Sequence, residues 1–194
     1  MVTEINVCFL DLETTGLEQE RGHRIIEMAF LLYSYNLATK ERKPLGKYIQ
    51  RINPNRSIDV KAQAVHKISI NDLMGKPLWE DVVDKAVKVL NKTDLLVCHN
   101  IGFDGPFIAN EIIRVGRCVP QVETFCSMDS GRFATFDGSV PSLRKLSECF
   151  GFEYSQSKAH GALYDTLLLS KCFFAGLDGG YFKLPDFKQL EQAA

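Results

Sequence analysis

Residues 7–17 read VCFLDLETTGL, and the rest of the chain is organised around this stretch. Val7–Leu12 is a short apolar run rich in strand formers. It is stopped by the turn residues Thr14–Gly16, so it reads as a buried strand. Asp11 and Glu13 stand at its exit, two positions apart. Side chains alternate faces along a strand, so both carboxylates project from the same face. Two carboxylates held side by side repel and raise one pKa unless a cation sits between them. The plain alternative is an acidic strand end that is simply solvated, and the pair alone does not exclude it.

Outward from this strand, Arg24–Tyr35 and Gly46–Ile52 read as two further strands. The polar stretch NLATKERKPLG separates them, with Pro44 and Gly46 as punctuation. Three strands with short connections predict an antiparallel meander. Val82, Val83, Ala86, Val87 and Leu90 follow helical spacing, so a helix is predicted from Trp79 to Leu90. Leu95–Cys98 is a short strand, Phe103–Val115 a helix closed by Gly116, and Val122–Cys126 a weak strand. Ser142–Phe150 is a helix with Ser142 as N-cap and Gly151 past its end. Ala162–Phe174 is the last helix, closed by Gly176. This order predicts an α/β domain with a mixed sheet whose later strands are joined by helical crossovers.

The length of 194 residues fits one globular domain. Apolar residues at 45% and charged residues at 24% exclude a disordered, collagenous or coiled-coil chain. No run of about 18 apolar residues is present, so no membrane-spanning helix is expected. The start, MVTEINVCFLDLE, has no basic segment ahead of its short apolar run, so a signal peptide is not expected and the expected compartment is cytoplasmic. None of the six cysteines forms a CxxC pair, and no Cys/His spacing supports zinc, which leaves reduced thiols. The charge is 23 − 24 = −1, so no general excess of basic residues announces a nucleic-acid partner. The distribution is uneven, however. Lys40 to Lys67 holds eight basic and two acidic residues, a local balance of 8 − 2 = +6.

Two further carboxylates carry chemistry-bearing positions. Asp104 follows the second strong apolar strand in HNIGFDGPF, where a first-turn acid is the plain reading. Asp165 lies in the apolar helix of KAHGALYDTLLLS and must face water, a partner or a metal. His160 precedes it by five residues, too far round a helix for a stacked pair, and belongs to the loop entering the helix. A loop His with a pKa near 6.5 suits a general base; an exposed His without a role is the plain alternative. Together these are four carboxylates and one loop His at the ends or starts of elements that an α/β sheet brings together. An all-oxygen acidic cluster selects Mg²⁺ or Mn²⁺ over zinc. Paired ions roughly 3.5–4 Å apart clamp the attacking and leaving oxygens of a phosphoryl group.

FLDLETTGL (9–17), HNIGFD (99–104) and HGALYD (160–165) resemble, in order and spacing, the three motifs of the DEDDh family of 3′–5′ exonucleases. That family includes the epsilon-type proofreading subunits of bacterial replicative polymerases. The resemblance covers about residues 5 to 175, with supporting likeness in RIIEMAFLLY (24–33), AVHKISINDL (64–73) and VPSLRKLSECFGF (140–152). It implies a ribonuclease H-like three-layer fold with a five-stranded mixed sheet flanked by helices. The domain would span residues 1–176, followed by a C-terminal tail at 177–194 whose apolar anchors are Tyr181, Phe182, Leu184 and Phe187.

The resemblance also implies chemistry. Asp11, Glu13, Asp104 and Asp165 would hold two Mg²⁺ or Mn²⁺ ions, and His160 would be the general base. The reaction would release nucleoside 5′-monophosphates from the 3′ end of DNA, single-stranded or frayed. The backbone at Thr14, Thr15 and Gly16 would lie against the terminal nucleotide, which accounts for small residues there. Leu17 and Phe103 resemble positions that pack on terminal bases, with core packing as the alternative. His66 matches a family His, with a structural role as the alternative, and Asn100 either contacts the nucleotide or fixes its loop. His99 is given no chemistry. The expected partners are single-stranded DNA or RNA 3′ ends and a DNA polymerase, with no membrane; a homodimer is left open. Two other functions stay open: an exoribonuclease of the same family, and a nuclease-like binding module without catalysis.

Overall fold

The structure, a computed structural model, describes residues 3–157 and 159–187. Strands β1 (Glu4–Thr14), β2 (Ile25–Asn36) and β3 (Arg42–Arg51) form the antiparallel meander. Two short helices, α1 (Val60–His66) and α2 (Ile70–Leu73), precede the long helix α3 (Trp79–Leu90). Strand β4 (Leu95–Cys98), helix α4 (Ile101–Arg114), strand β5 (Glu123–Cys126) and helices α5 (Ser127–Ser130), α6 (Leu143–Cys149) and α7 (Ala162–Asp178) complete the order.

The sheet runs β3-β2-β1-β4-β5, with β4 parallel to β1 and β5 parallel to β4. The central strand β1 is apolar on both faces, because both are covered. Phe9 belongs to a core shared with α6 and α7, whereas Leu10 and Leu12 belong to one shared with α3 and α4. The Phe9 ring meets Phe173 and Phe174 edge-on at 5.4 Å each, and Tyr33 at 5.8 Å. Alternation then fixes the polar end of the strand. Asp11 and Glu13 share the Phe9 side, so they emerge under the start of α7. The architecture is the expected three-layer one, with a five-stranded mixed sheet between helical layers.

Several local expectations shift. The turn after β2 is shorter than the sequence suggests, and β3 already begins at Arg42. Pro44 is tolerated there because β3 is an edge strand, and a register shift falls beside it between Leu32 and Tyr33. The short helices α1, α2 and α5 carry too few residues for a periodic signal. Ser142 caps α6 as expected, its side chain accepting the Lys145 amide. Gly176 does not close α7. The helix runs on to Asp178, and Gly176 lies buried inside it. A Cβ on Gly176 would sit 2.2 Å from the Phe182 ring, so the glycine is needed for close approach. Phe182 and Phe187 are buried in the same core as Phe9, while Tyr181 stacks on Phe133 at 4.7 Å. The rest of the expected tail, 188–194, lies outside the described residues.

Gly176→Ala is expected to overpack this contact and destabilise the fold by about 1–3 kcal/mol. In a Phe182→Ala background the same change is expected to be neutral or stabilising by up to about 1 kcal/mol, since it then only removes a helix glycine. Urea unfolding midpoints of the four proteins check both signs.

Candidate active site

The ends of three elements converge. Asp11 and Glu13 leave β1, Asp104 stands in the first turn of α4, and Asp165 stands in the first turn of α7. Ligand oxygens of Asp11, Glu13 and Asp165 all lie within 4.8 Å of one another. Asp104 is not part of that tight trio. It lies close enough to be the largest charged influence on Asp11.

The electrostatics are those of carboxylates withdrawn from water, with repulsion from like charge added at Asp11 and Glu13. Burial, followed by repulsion from Asp104, Glu13, Asp165 and Glu27, holds Asp11 well above the usual carboxylate range. Burial and the same neighbours push Glu13 up to about 9. Burial raises Asp104 to about 8, against the pull of the Leu12 amide. Burial also raises Asp165, whose Oδ2 accepts the His160 amide at 2.9 Å. Its Oδ1 is buried with no hydrogen-bond partner. An unpaired buried oxygen beside two other carboxylates is costly unless a cation completes the group. The donor set is all oxygen, which fits a hard divalent ion.

His160 is exposed on the loop before α7, as expected from sequence, with its backbone at φ 60°. The hydrogen bond that its backbone amide donates to Asp165 ties the loop to the carboxylate cluster. Gly161, the N-cap of α7, offers no side chain for the orphan amides of the helix. Glu27 supplies one from β2. Its Oε2 accepts the Ala162 amide at 3.0 Å and its Oε1 accepts Arg51 Nε at 2.8 Å. Glu27 pairs directly across from Glu13 and is buried. Sequence reading missed it, although a lone charge inside IIEMAFLLY was a signal: a carboxylate in a two-faced apolar strand needs partners.

Beside the carboxylates opens a cavity of about 500 Å³, lined by Glu13, Thr14, Gly16, Leu17, His66 and Phe103 among others. Leu17 is 77% exposed at its mouth, which a core residue would not be. Phe103 is half-buried and packs on Phe107. His66 is buried; its Nδ1 accepts the Ile68 amide at 3.0 Å, and burial lowers its pKa. Thr15 turns away from this cavity. Its hydroxyl meets His23 Nδ1 at 3.1 Å and accepts the Arg24 amide. Asn100 is exposed at the N-cap of α4 and does not line the cavity. Gly16 is small for a reason within the protein, because a Cβ there would strike the His23 ring at 2.3 Å. His23, Arg21 and Asp59 also line the cavity and were not singled out from sequence, whereas Lys61, which lines it too, belongs to the basic block at 40–67. His99 bonds Ser127 Oγ and the Pro141 carbonyl, and burial lowers it to about 4, so it latches loops.

Fold and site together define a carboxylate-centred α/β enzyme of the hard-cation type. A family model described as "Exonuclease", RNase_T, matches residues 8–173, and the chain belongs to that exonuclease family. DNA polymerase III subunit epsilon of Salmonella typhimurium is 32% identical over 178 residues, covering 88% of this chain and 70% of that protein. Exonuclease X in complex with 5′ overhanging duplex DNA shares the fold at a TM-score of 0.64 and 22% identity, covering 91% and 94% of the two chains. The nuclease domain of 3′hExo, a DEDDh family member bound to rAMP, does so at 0.69 and 18%, covering 93% and 96%. Among the described residues no helix is long and apolar enough to cross a membrane.

Burial holds Glu13 and Asp104 higher in the folded chain, at about 9 and 8 against ordinary values of 4.5 and 3.8. The folded state therefore holds protons that the unfolded state releases, so the contribution of these two groups to stability is full below about pH 4 and is lost as pH rises through about 8 to 9. In chelator, the melting temperature is expected to fall as pH rises from about 4.5 to 9. Added Mg²⁺ or Mn²⁺ is expected to raise it by an amount that grows with pH, and thermal melts across that range check the slope. Separately, Glu27→Ala removes the acceptor for both Arg51 and the Ala162 amide. A loss of about 1–3 kcal/mol is expected from urea unfolding, with Glu27→Gln losing less.

Proposed function

We propose that the chain is a metal-dependent 3′–5′ exonuclease acting on DNA ends, single-stranded or frayed, and releasing nucleoside 5′-monophosphates. The observation that supports this best is the trio Asp11, Glu13 and Asp165, with ligand oxygens within 4.8 Å and an unpaired buried oxygen among them. With Asp104 these residues would hold two Mg²⁺ or Mn²⁺ ions, which supply charge neutralisation of the phosphate and of the leaving 3′-oxygen. The protein's own part is to position and to move a proton. The cavity beside Glu13 receives the terminal nucleotide, with Leu17 and Phe103 against its base and the Thr14–Gly16 backbone along it. His160, exposed at the edge of the cluster, takes the proton of the attacking water and passes it to solvent. The hydrogen bond from the His160 amide to Asp165 keeps the base in register with the ligand set. Gly16 keeps the pocket floor against His23.

DNA is preferred because the similar epsilon proteins are named as DNA polymerase III subunits, and association with a polymerase belongs to the same proposal. The rAMP-bound neighbour is the observation that favours the second reading, an exoribonuclease. One experiment separates them. The protein is incubated with 5′-labelled single-stranded DNA and RNA of one sequence, in Mg²⁺, Mn²⁺ or chelator. A metal-dependent ladder on DNA that exceeds the one on RNA is expected. Asp11→Ala is expected to reduce it to background, and His160→Ala to slow it by about 10²–10⁴-fold. Internal fragments, or an undiminished His160→Ala, would contradict the mechanism.

A further inference from the structure

A second cleft lies on the other side of the sheet from the carboxylates. It opens between the edge strand β3 and helix α3 and has a volume of about 290 Å³. Its floor is apolar, made by Phe30, Leu32, Tyr48 and Val89. Phe30 pairs with Leu10 and shares the core of α3 and α4, whereas Asp11 and Glu13 face α7. No strand end seated at the carboxylates therefore runs directly into this cleft.

Four exposed lysines surround it: Lys47, Lys85, Lys88 and Lys92. None of the four has an ion-pair partner among the described residues. The acids that could have answered them are engaged elsewhere. Glu80 pairs with Arg114 and Asp84 with Arg117, both on the α4 side, while Asp81 accepts the Leu78 amide. Helix α3 is thus segregated, with acids spent on internal contacts and ammonium groups left around an apolar floor. In a chain of net charge −1, four unpaired cations around one apolar cleft are a local departure. The Tyr48 hydroxyl on this floor is buried without a hydrogen-bond partner.

We propose that this cleft docks an acidic peptide segment of a partner protein. One large apolar side chain would enter between β3 and α3, and flanking Asp or Glu residues would meet the four lysines. Charge complementarity names the acid, and the apolar floor names the anchor. A nucleic-acid strand fits less well. Base stacking needs an open ring face. The Tyr48 ring is stacked on Phe30 at an interplanar angle of 9°, and Lys85 Nζ stands 5.9 Å from its centroid.

The test uses the full chain and three fluorescein-labelled probes read by fluorescence anisotropy. The first is a peptide of Asp and Glu around a central Leu-Phe pair. The second carries Ser-Ser at the centre, and the third is a dT oligonucleotide of equal charge. The Leu-Phe peptide is expected to bind roughly tenfold or more tightly than the Ser-Ser peptide. The double variant Lys85→Glu, Lys88→Glu is expected to weaken it by a similar factor, with unchanged melting temperature and unchanged exonuclease rate. Raising the salt concentration is expected to weaken it as well. Equal binding of the two peptides, binding unaffected by the charge reversals, or no peptide binding overturns the proposal. So does a preference for the oligonucleotide that the same variant abolishes, which would make this a nucleic-acid surface.

Discussion

The cost of withdrawing four neighbouring carboxylates from water is the constraint on which the rest of this structure depends. Asp11, Glu13, Asp104 and Asp165 each have a raised pKa, and burial is the first cause in every case. A fold can hold such a group only if its scaffold is stable enough to bear the cost. The scaffold here is the central strand β1, paired on both edges and covered on both faces. Phe9 and its aromatic neighbours lie directly beneath Asp11 and Glu13 on the same face, so an apolar core supports the carboxylates.

Much of this was legible because it obeys simple periods. The alternation in VCFLDLE placed Asp11 and Glu13 on one face, and the spacing within α3 gave its buried side. Ser142 and Gly151 bracketed α6 by ordinary capping chemistry. What escaped the sequence depended on partners far along the chain. Gly176 looked like a helix end because glycine is common there. Only the return of Phe182 over α7 shows that its missing side chain makes room for a ring. The small residue at Gly16 had a similar history, since the neighbour that demands it is His23. Glu27 was hidden inside an apolar run, and its purpose appears only when Ala162, 135 residues later, presents an uncapped amide.

The basic block at 40–67 is also redistributed by folding. Arg42 pairs with Asp178, Arg51 with Glu27, and the Arg56 guanidinium with the Gly22 carbonyl. Lys61 reaches the cavity beside Glu13, whereas Lys47 stands on the other side of the sheet. A count of +6 along the sequence is therefore not one surface. Three of its eight basic groups are held by internal partners, and two others, Lys61 and Lys47, stand at openings of different character.

The placement of β1 has a consequence for time as well as for energy. A strand paired on both edges opens only when the whole domain opens, so its amides belong to the slowest-exchanging class. Asp11 and Glu13 lie just past that doubly paired stretch, because β4 pairs with β1 only over Val7–Phe9, and they are held on the β2 edge alone. His160 stands on a loop, at a positive φ, held to the cluster through a hydrogen bond from its backbone amide. The loop that carries His160 and the strand that carries Asp11 and Glu13 belong to different dynamic regimes. Whatever paces successive rounds of reaction at this site is to be sought in the segment leading into α7, with the sheet as the fixed frame of reference.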